Sequence, residues 1–237
     1  MSQRPPTLNF GFKDNSDNGS PGSFILSQFI DSHPSESDLP PVPRHELRKQ
    51  LRQRRRMLSP REQEQASASL ALNLLRNPDL QRARHIAIYL PNDGEIDPHP
   101  YMAMATAHRK GVHFYLPVLH PIHPGKLVFS PYYDGVELTA NRFGIPEPAF
   151  SKGLRRPAWS LDAVLFPLVG FDEYGGRLGM GGGFYDRTFA FSRLRPRLAP
   201  KLIGLAHDFQ KVKTLPIEPW DVPLHSVVTD RKVYRVK

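Results

Sequence analysis

One stretch of the chain, residues 163–187, constrains the fold more than any other. An apolar run at residues 163–169 predicts a strand, and because its apolar residues are continuous rather than alternating, we expect both faces to be covered. A glycine cluster follows, and then a predicted helix begins at Phe184. The cluster consists of Gly175, Gly176, Gly179, Gly181, Gly182 and Gly183. A buried strand, a glycine-rich turn and a helix start are typical of an α/β fold.

This stretch also has the chemistry of a phosphate-binding loop. Glycines let backbone N–H groups approach an anion, and the N-terminus of a helix adds partial positive charge. Arg177 and Arg187 bring fixed positive charge, and Asp186 is suited to hold a metal ion beside phosphates. The stretch lacks the Gly-Lys-Ser/Thr ending of the P-loop and the early strand of the dinucleotide fingerprint. From these residues alone, a glycine-rich turn that binds nothing remains an alternative.

The complete string is more specific than its glycines. Residues 171–187 read FDEYGGRLGMGGGFYDR, which resembles the signature of the 5-formyltetrahydrofolate cyclo-ligase family, also called methenyltetrahydrofolate synthetases. The form with Met180 and three following glycines resembles the bacterial branch. The resemblance implies an ATP- and Mg²⁺-dependent enzyme that closes 5-formyltetrahydrofolate to 5,10-methenyltetrahydrofolate and releases ADP and phosphate. It also implies a three-layer, Rossmann-like open sheet, mostly parallel, of the sugar-phosphate isomerase type.

The resemblance assigns roles to the loop and to a later carboxylate. Arg177 and Asp186 are expected to be catalytic, and Asp186 and Asp221 to hold Mg²⁺; the alternatives are a helix-terminal charge and a turn-forming Asp. The closing segment departs from the family at His225, where many relatives carry an acidic residue. The predicted ATP-binding residues of the loop are Arg177, Leu178, Gly179, Met180, Gly181, Gly182, Gly183, Phe184 and Tyr185. The predicted folate-binding residues of the loop are Met180, Gly181, Gly182, Gly183 and Phe184.

Residues 44–58 predict an amphipathic helix, since Leu47, Leu51 and Leu58 recur at multiples of three to four residues. Its other faces are densely basic, which fits a solvated cationic face, an RNA-binding arm or an anion clamp. No aromatic residues interleave for base stacking. The family begins with a basic–x–x–Leu–Arg element that contacts ATP, and Arg44 to Arg48 resembles it, although many relatives have Lys at the first position. The resemblance therefore adds Arg44 and Arg48 to the predicted ATP site.

A second ligand-binding segment is predicted near residue 95. Residues 85–90 predict a strand, residues 91–94 a turn, and Glu95 follows directly. Open α/β sheets bind ligands at such strand ends, although a lone carboxylate there is also consistent with ordinary surface. The string IYLPNDGEID resembles the folate-binding strand of the family. The resemblance implies that Glu95 accepts hydrogen bonds from the pterin and that Leu90 lines the same pocket.

The remaining chain alternates helices with short apolar strands, which predicts a mostly parallel sheet covered on both sides. Ser59, Pro60 and Glu62 predict a helix start with a reciprocal cap. Further strands are predicted at residues 112–119, 201–207 and 226–234, and helices at residues 97–111 and 184–194. Trp159 and Trp220 are predicted to be packing residues.

Composition separates an amino-terminal tail from one body. Residues 1–43 are rich in Pro, Ser, Gly, Asp and Asn, which predicts a disordered tail, and residues 44–237 are predicted to form a single α/β domain. The tail carries two basic and five acidic residues, so the total charge of +9 leaves +12 for the body. A basic body suits an anionic ligand such as a nucleotide, or a nucleic acid. The absence of cysteine excludes disulfides and thiol chemistry.

These observations lead to a prediction about partners. No apolar run of about 18 residues and no signal-peptide pattern is present, so we expect a cytoplasmic protein without a membrane partner. The expected partners are the small molecules 5-formyltetrahydrofolate and ATP, and no nucleic acid is expected. We expect the protein itself to be a monomer or a weak homo-oligomer. Two alternatives stay open: a basic RNA- or nucleotide-binding protein, and a relative on the same scaffold with a different substrate.

Overall fold

The computed structural model describes residues 42–149, 155–215 and 217–236. The predicted tail therefore lies outside the described residues up to residue 41. The helices are α1 (Arg44–Arg56), α2 (Pro60–Leu75), α3 (Pro78–Gln81), α4 (His99–His108) and α5 (Phe184–Phe189). The strands are β1 (His85–Ala87), β2 (His113–Leu119), β3 (Leu127–Tyr132), β4 (Leu138–Ala140), β5 (Pro146–Pro148), β6 (Ala163–Pro167), β7 (Gly170–Phe171), β8 (Arg177–Leu178), β9 (Lys201–Leu205), β10 (Ser226–Val228) and β11 (Val233–Arg235).

Seven strands form the main sheet in the order β11-β10-β9-β6-β1-β2-β3. The five inner strands are parallel, and β3 and β11 pair antiparallel at the two edges. The prediction of a mostly parallel α/β sheet is therefore confirmed. The chain runs from β1 outward to β2 and later returns to β6 on the other side of β1. This reversal makes the gap between β1 and β6 the topological switch point, where open α/β sheets bind ligands at the carboxyl ends of the strands.

The sheet separates two apolar cores. In β6, Ala163 and Leu165 join a cluster that includes residues of α2 and α4, whereas Val164 and Phe166 join a cluster that includes Phe189 of α5. The continuous apolar run of this strand thus reflects burial on both faces, as predicted. Each large apolar side chain buried in this way contributes about 1.5–3 kcal/mol to stability. Because apolar side chains pack on both faces, the central strands are held in place, and so are the starting points of the loops that leave their ends.

Local signals account for the helix starts and for the placement of α1. The Oγ of Ser59 accepts from the Glu62 N–H at 3.3 Å, and the Glu62 carboxylate accepts from the Ser59 N–H at 2.8 Å, which confirms the predicted cap. On α1, Leu47 and Leu51 pack against a small cluster that includes Leu178 of β8. The apolar face of α1 therefore lies on the segment that leads into the glycine loop.

Two predictions about the periphery are wrong. Trp159 and Trp220 are not packing residues, because 60% and 62% of their surfaces are exposed. The expected last strand at residues 226–234 is a hairpin of β10 and β11. The Thr229 hydroxyl accepts from the N–H groups of Arg231 and Lys232 and so stabilises the turn between them. Within the described ranges, no helix is both long and apolar enough to span a membrane.

Candidate functional site

Two chain segments meet at the switch point between β1 and β6. The chain leaves β1 through residues 88–90 into the turn that carries Glu95, and it leaves β6 toward the glycine loop. Burial and then the nearby Glu95 carboxylate raise the pKa of Tyr185, at the start of α5. Glu95 and the glycine-loop region, far apart in sequence, therefore lie side by side, as expected when both follow neighbouring parallel strands.

The first half of the glycine-rich stretch is a β-hairpin rather than part of a phosphate loop. β7 and β8 pair antiparallel, and Asp172 Oδ1 accepts from the N–H groups of Tyr174 at 2.9 Å and Gly176 at 2.7 Å. A Cβ at Gly176 would lie 2.4 Å from Asp172 Oδ2, so this close approach requires glycine. Gly175 and Gly176 thus serve the hairpin turn. The hairpin sets the position of Arg177, the first residue of β8.

The loop proper consists of residues 179–183. Gly181 and Gly183 have φ values of 94° and 62°, in the left-handed region that favours glycine. The helix that follows is shorter than predicted, because α5 ends at Phe189 and continues only as 3-10 turns at Ala190–Arg193. Six residues make less than two helical turns, so the helix dipole adds little positive charge here. The charge of the site comes from arginines instead.

Arg48 and Arg187 hold the backbone of the loop, and Arg44 holds the strand that leads into it. Arg44 Nη2 donates to the carbonyl oxygen of Arg177 at 3.3 Å, and Arg48 Nε donates to the carbonyl oxygen of Gly179 at 2.8 Å. From the opposite side, Arg187 donates to the carbonyl oxygens of Gly125 and Gly182. The pKa of Arg48 is lowered by burial and by the charges of Arg44 and Arg52, which marks a local concentration of positive charge. The structure therefore brings the predicted Arg44 and Arg48 to the loop.

Arg177 pairs with one of the two predicted metal ligands and is influenced by the charge of the other. Its side chain is 7% exposed and donates to Asp186, and the carboxylates of Asp186 and Asp221 both favour its charged form against the burial that lowers its pKa. Asp186 Oδ1 also accepts from the Val222 N–H at 3.2 Å, which links α5 to the segment of Asp221. Arg44 Nη1 lies 3.6 Å from Asp221 Oδ2. Asp186 and Asp221, 35 residues apart in sequence, thus flank one guanidinium group.

The donor set fits Mg²⁺ in number and chemistry. Mg²⁺ takes one or two protein carboxylates and fills the remaining positions with water and phosphate oxygens. Asp186 and Asp221 supply two carboxylates from separate segments beside the loop. Within the described part of the chain, no group of three or more His, Asp or Glu side chains is placed to form a complete protein cage. Mg²⁺ binding by Asp186 and Asp221 therefore stays a prediction.

Glu95 is a buried carboxylate rather than an ordinary surface residue. Its side chain is 9% exposed, its Oε2 accepts from the Asn92 N–H at 3.2 Å, and its Oε1 lies 3.7 Å from Arg55 Nη2. Burial raises the pKa of Glu95 to about 7, although the Arg55 charge and the Asn92 hydrogen bond oppose the rise. Its charge in turn contributes, after burial, to the raised pKa of Tyr89. A carboxylate that titrates near neutrality beside a ligand-binding edge is typical of functional sites.

Aromatic side chains line the region between the loop and the sheet. Tyr185 stacks on Phe166 with ring centroids 4.9 Å apart, and Phe184 meets Phe143 edge-on at 5.8 Å. Met180 is 48% exposed, so the loop presents an apolar tip to solvent. The predicted substrate residue Leu90 is half-buried against the core cluster on the α2 and α4 side of the sheet.

Sequence reasoning missed an acidic–basic cluster behind Glu95. Asp93 accepts hydrogen bonds from three arginines of α1, which are Arg52, Arg55 and Arg56. Burial works against the Asp93 carboxylate, but these hydrogen bonds outweigh it and lower its pKa to about 2. The run RQRRR was a signal for the cluster, but it did not show that three of its arginines meet at Asp93. Counting Arg44 and Arg48, five arginines of α1 therefore hydrogen-bond to other parts of the protein, so they do not form only a solvated face.

A cleft of about 680 Å³ opens next to this cluster. The end of α1, the start of α2 and residues 91–95 form its walls, and Glu95 lies on one side. Within the described residues, the glycine loop is not among the walls of this cleft. Glu95 thus lines a concave surface and also lies near Tyr185, directly after the loop.

Comparisons with known proteins agree with this architecture. Residues 42–230 match the model of the 5-formyltetrahydrofolate cyclo-ligase family. The chain is 43% identical over 187 residues to the 5-formyltetrahydrofolate cyclo-ligase of Escherichia coli K12, covering 78% of this chain and 98% of the relative. It is 38% identical to the Haemophilus influenzae enzyme of the same name, over 78% and 96% of the two chains.

Solved structures give the same result. The NMR structure of Aquifex aeolicus 5,10-methenyltetrahydrofolate synthetase superposes with a TM-score of 0.68 at 29% identity, covering 83% of this chain and 94% of that chain. The 5,10-methenyltetrahydrofolate synthetase from Mycoplasma pneumoniae gives a TM-score of 0.61 at 25% identity, over 80% and 99% of the two chains. Sequence, family model and fold therefore agree, and the chain belongs to the 5-formyltetrahydrofolate cyclo-ligase family.

Proposed function

We propose that this protein catalyses the ATP- and Mg²⁺-dependent closure of 5-formyltetrahydrofolate to 5,10-methenyltetrahydrofolate. One observation carries the proposal: Arg44 and Arg48 of α1 hold β8 and the glycine loop beside the Arg177–Asp186 pair, at the switch point of the sheet that also carries Glu95. An anion-binding loop and a buried carboxylate side by side fit a reaction between a nucleotide and a pterin. Membership of the cyclo-ligase family supports the same reaction.

The reaction must turn a formamide oxygen into a leaving group. The formyl oxygen attacks the γ-phosphorus of ATP, an O–P bond forms, and ADP leaves with the electrons of the broken P–O bond. The N10 amine then attacks the activated formyl carbon, the C–O bond breaks, and phosphate leaves while N10 loses its proton. Such a phosphoryl transfer needs positioning and neutralisation of charge rather than a covalent nucleophile.

The basic residues around the loop suit the phosphate side of this reaction. The backbone N–H groups of residues 179–183 are the donors for phosphate oxygens, and the left-handed glycines let them approach. Arg48 and Arg44 neutralise phosphate charge, while their hydrogen bonds to Gly179 and Arg177 hold the loop and the strand before it in place. Arg177, which pairs with Asp186 and is influenced by the charge of Asp221, is assigned to the transferred phosphoryl group.

Asp186 and Asp221 are assigned to hold Mg²⁺. When bound, the ion supplies charge neutralisation at the β- and γ-phosphates. Asp186 has a second function in the protein itself, because its contacts with Arg177 and the Val222 N–H orient both segments. His225, at the position where many relatives are acidic, instead accepts from the Leu202 N–H at 3.0 Å through Nδ1. The proposed donor set therefore needs only the two aspartates.

Glu95 is assigned to the pterin. The pterin offers N–H donors, and an ionised carboxylate accepts them strongly. Phe184 and Tyr185 supply an aromatic edge, and Met180 supplies the apolar tip of the loop. Leu90 is assigned to the same pocket by the family resemblance. Folate and ATP are thus expected to meet at the residues shared by the loop, with the formyl group toward the phosphates.

The experiment combines protein, Mg²⁺, ATP and 5-formyltetrahydrofolate and follows the absorbance of methenyltetrahydrofolate. Product is expected only when all components are present, and one ADP is expected for each methenyl group formed. A folded protein that forms no product in the complete mixture would overturn the proposal. Omission of ATP and omission of Mg²⁺ are separate controls.

A magnesium titration tests the metal assignment. Asp186→Asn is expected to fold and to lose most of kcat, and Asp221→Asn is expected to raise the Mg²⁺ concentration that gives half-maximal rate. The control is Asp134→Asn, because Asp134 is exposed and lies on the far connection after β3. Mg²⁺-dependent ATP affinity, measured by calorimetry, gives a second readout. A wild-type magnesium dependence in both variants would reject metal binding by these aspartates.

A further inference from the structure

Arg55 is buried next to the carboxylate assigned to the pterin. It is 1% exposed, although it is the last but one residue of a helix whose neighbouring arginines are partly exposed. Its Nε donates to the carbonyl oxygen of Asp93 at 2.7 Å, and its Nη2 donates to Asp93 Oδ2 at 2.8 Å. A buried guanidinium is expensive to desolvate, so a position of this kind needs a reason.

The pairing with Asp93 satisfies only part of the guanidinium. Among the described residues, the buried Nη1 of Arg55 has no hydrogen-bond partner. Asp93 also accepts from Arg52 and Arg56, so one carboxylate faces three positive charges. The excess positive charge lies toward Glu95, whose Oε1 is 3.7 Å from Arg55 Nη2. The Arg55 side chain therefore hydrogen-bonds to Asp93 and at the same time forms an ion pair with Glu95.

Arg55 also fixes the backbone that carries Glu95. Gly94 has φ of 75°, and a Cβ there would lie 2.8 Å from the carbonyl oxygen of Arg55. Gln63 Nε2 donates to the carbonyl oxygens of Gly94 at 3.0 Å and Arg55 at 3.5 Å. The main chain and the side chain of Arg55 thus both contact the turn of residues 91–94. Removing the side chain changes the charge near Glu95 while these backbone contacts hold the turn.

We propose that Arg55 is a positioning residue which, from inside the fold, orients Glu95 and supplies the positive charge that most favours its ionised form for binding the pterin. The inference rests on the proposed role of Glu95 in binding folate. Five charged or titratable groups act on Glu95 or are acted on by it: Arg55 and Arg52 favour its ionised form, Asp93 opposes it, and Tyr89 and Tyr185 are neutral neighbours. Burial already outweighs these charges, Arg55 opposes it most strongly, and without Arg55 the pKa of Glu95 is expected to rise further.

The test is the affinity for 5-formyltetrahydrofolate, measured by calorimetry without ATP between pH 6 and 9.5. Wild-type affinity is expected to increase as pH rises through about 7, because Glu95 must be ionised to accept from the pterin. Arg55→Gln is expected to move this midpoint upward by roughly one to three pH units, the scale for loss of an adjacent opposite charge. Arg55→Lys, which keeps the charge, is expected to restore most of the affinity lost at pH 7.

The matched control is Arg56→Gln. Arg56 is on the same helix and also contacts Asp93, but its side chain is 55% exposed and it makes no contact with Glu95. Its removal is expected to leave the pH midpoint unchanged. Glu95→Gln is expected to weaken binding at high pH and to flatten the pH dependence. Melting curves check that each variant is folded.

A parallel comparison removes the risk that Arg55→Gln unfolds the protein by leaving Asp93 short of a partner. Asp93→Asn is compared with the Asp93→Asn/Arg55→Gln double variant, and the double variant is expected to have the higher midpoint. If Arg55→Gln leaves the pH midpoint unchanged in both backgrounds, wild type and Asp93→Asn, while Glu95→Gln still binds folate weakly, the role of Arg55 is overturned. The folate assignment of Glu95 would then still stand. Wild-type affinity in Glu95→Gln overturns the folate assignment of Glu95 and the inference together.

Discussion

Replacing Glu95 by Gln is predicted to stabilise the protein at alkaline pH while it weakens folate binding. Burial raises the pKa of Glu95 from 4.5 to about 7. Below about pH 4.5 the carboxyl group is protonated in both folded and unfolded chains, so it resembles Gln. Between pH 4.5 and 7 the unfolded chain ionises first, and the wild type loses about 1.4 kcal/mol of stability per pH unit relative to the variant. Above pH 7 the loss is constant.

The predicted difference at pH 8 is about 3 kcal/mol in favour of Glu95→Gln, from the rise in pKa of about 2.5. For a domain of this size it corresponds to a rise in Tm of roughly 6–12 °C. Gln keeps the acceptor for the Asn92 N–H, so the hydrogen bond that closes the turn remains. The wild-type protein would then have a lower free energy of unfolding because it keeps a charged carboxylate that its function requires.

The assay is urea unfolding of wild type and Glu95→Gln at pH 5 and pH 8. Differences between the two proteins are compared at each pH, so the titration of all other groups cancels. Glu137→Gln is the control, because Glu137 is exposed and its replacement should change stability by less than about 0.5 kcal/mol at either pH. A difference that is equal at the two pH values, or that favours the wild type more at pH 8, would refute the reasoning. The latter would mean that the attraction of Arg55 exceeds the cost of burial.

Three further predictions concern the loop, the metal pair and the tail. Because Arg177 and Asp186 are coupled, their replacements by Met and Asn should not be additive: a double-mutant cycle in urea should give about 2–3 kcal/mol of interaction, and additivity within about 0.5 kcal/mol would contradict the pairing. Arg48→Ala should raise the KM for ATP about tenfold or more without changing folate affinity, whereas the exposed Lys49→Ala should change neither in steady-state kinetics. Deletion of residues 1–40 should leave turnover within a few-fold and Tm nearly unchanged; a large fall in either would make the tail an integral element.

The sequence by itself determined the fold class and most of the chemistry. Continuous apolar runs are read directly as strands covered on both faces, and the run in β6 loads two separate cores as expected. The cap at Ser59 is a local pattern of three residues, so it too is visible without the structure. The string at residues 171–187 indicated the family because its residue types and spacing are a local property of the chain.

Local patterns were misleading where distant segments decide the outcome. The glycines at 175 and 176 looked like part of one phosphate loop, but the buried Asp172 carboxylate draws them into a hairpin turn. The helix after the loop ends early because α5 gives way to 3-10 turns. Trp159 and Trp220 have large apolar side chains of the kind found in cores, yet most of their surface is exposed. Propensity and apolarity do not record which face of a segment finds a partner.

Only the tertiary structure decided how the charges are arranged. A basic run in α1 is compatible with solvent, RNA or phosphate, and its sequence cannot show that Arg55 points inward and shares its charge between Asp93 and Glu95. Likewise, Asp186 and Asp221 meet around Arg177 because α5 and the segment before β10 fold together. Electrostatic energy depends on distance and burial, and both are set by contacts between residues far apart in the chain. The sequence therefore determines which residue types are available to the site, whereas the tertiary packing determines their charge states.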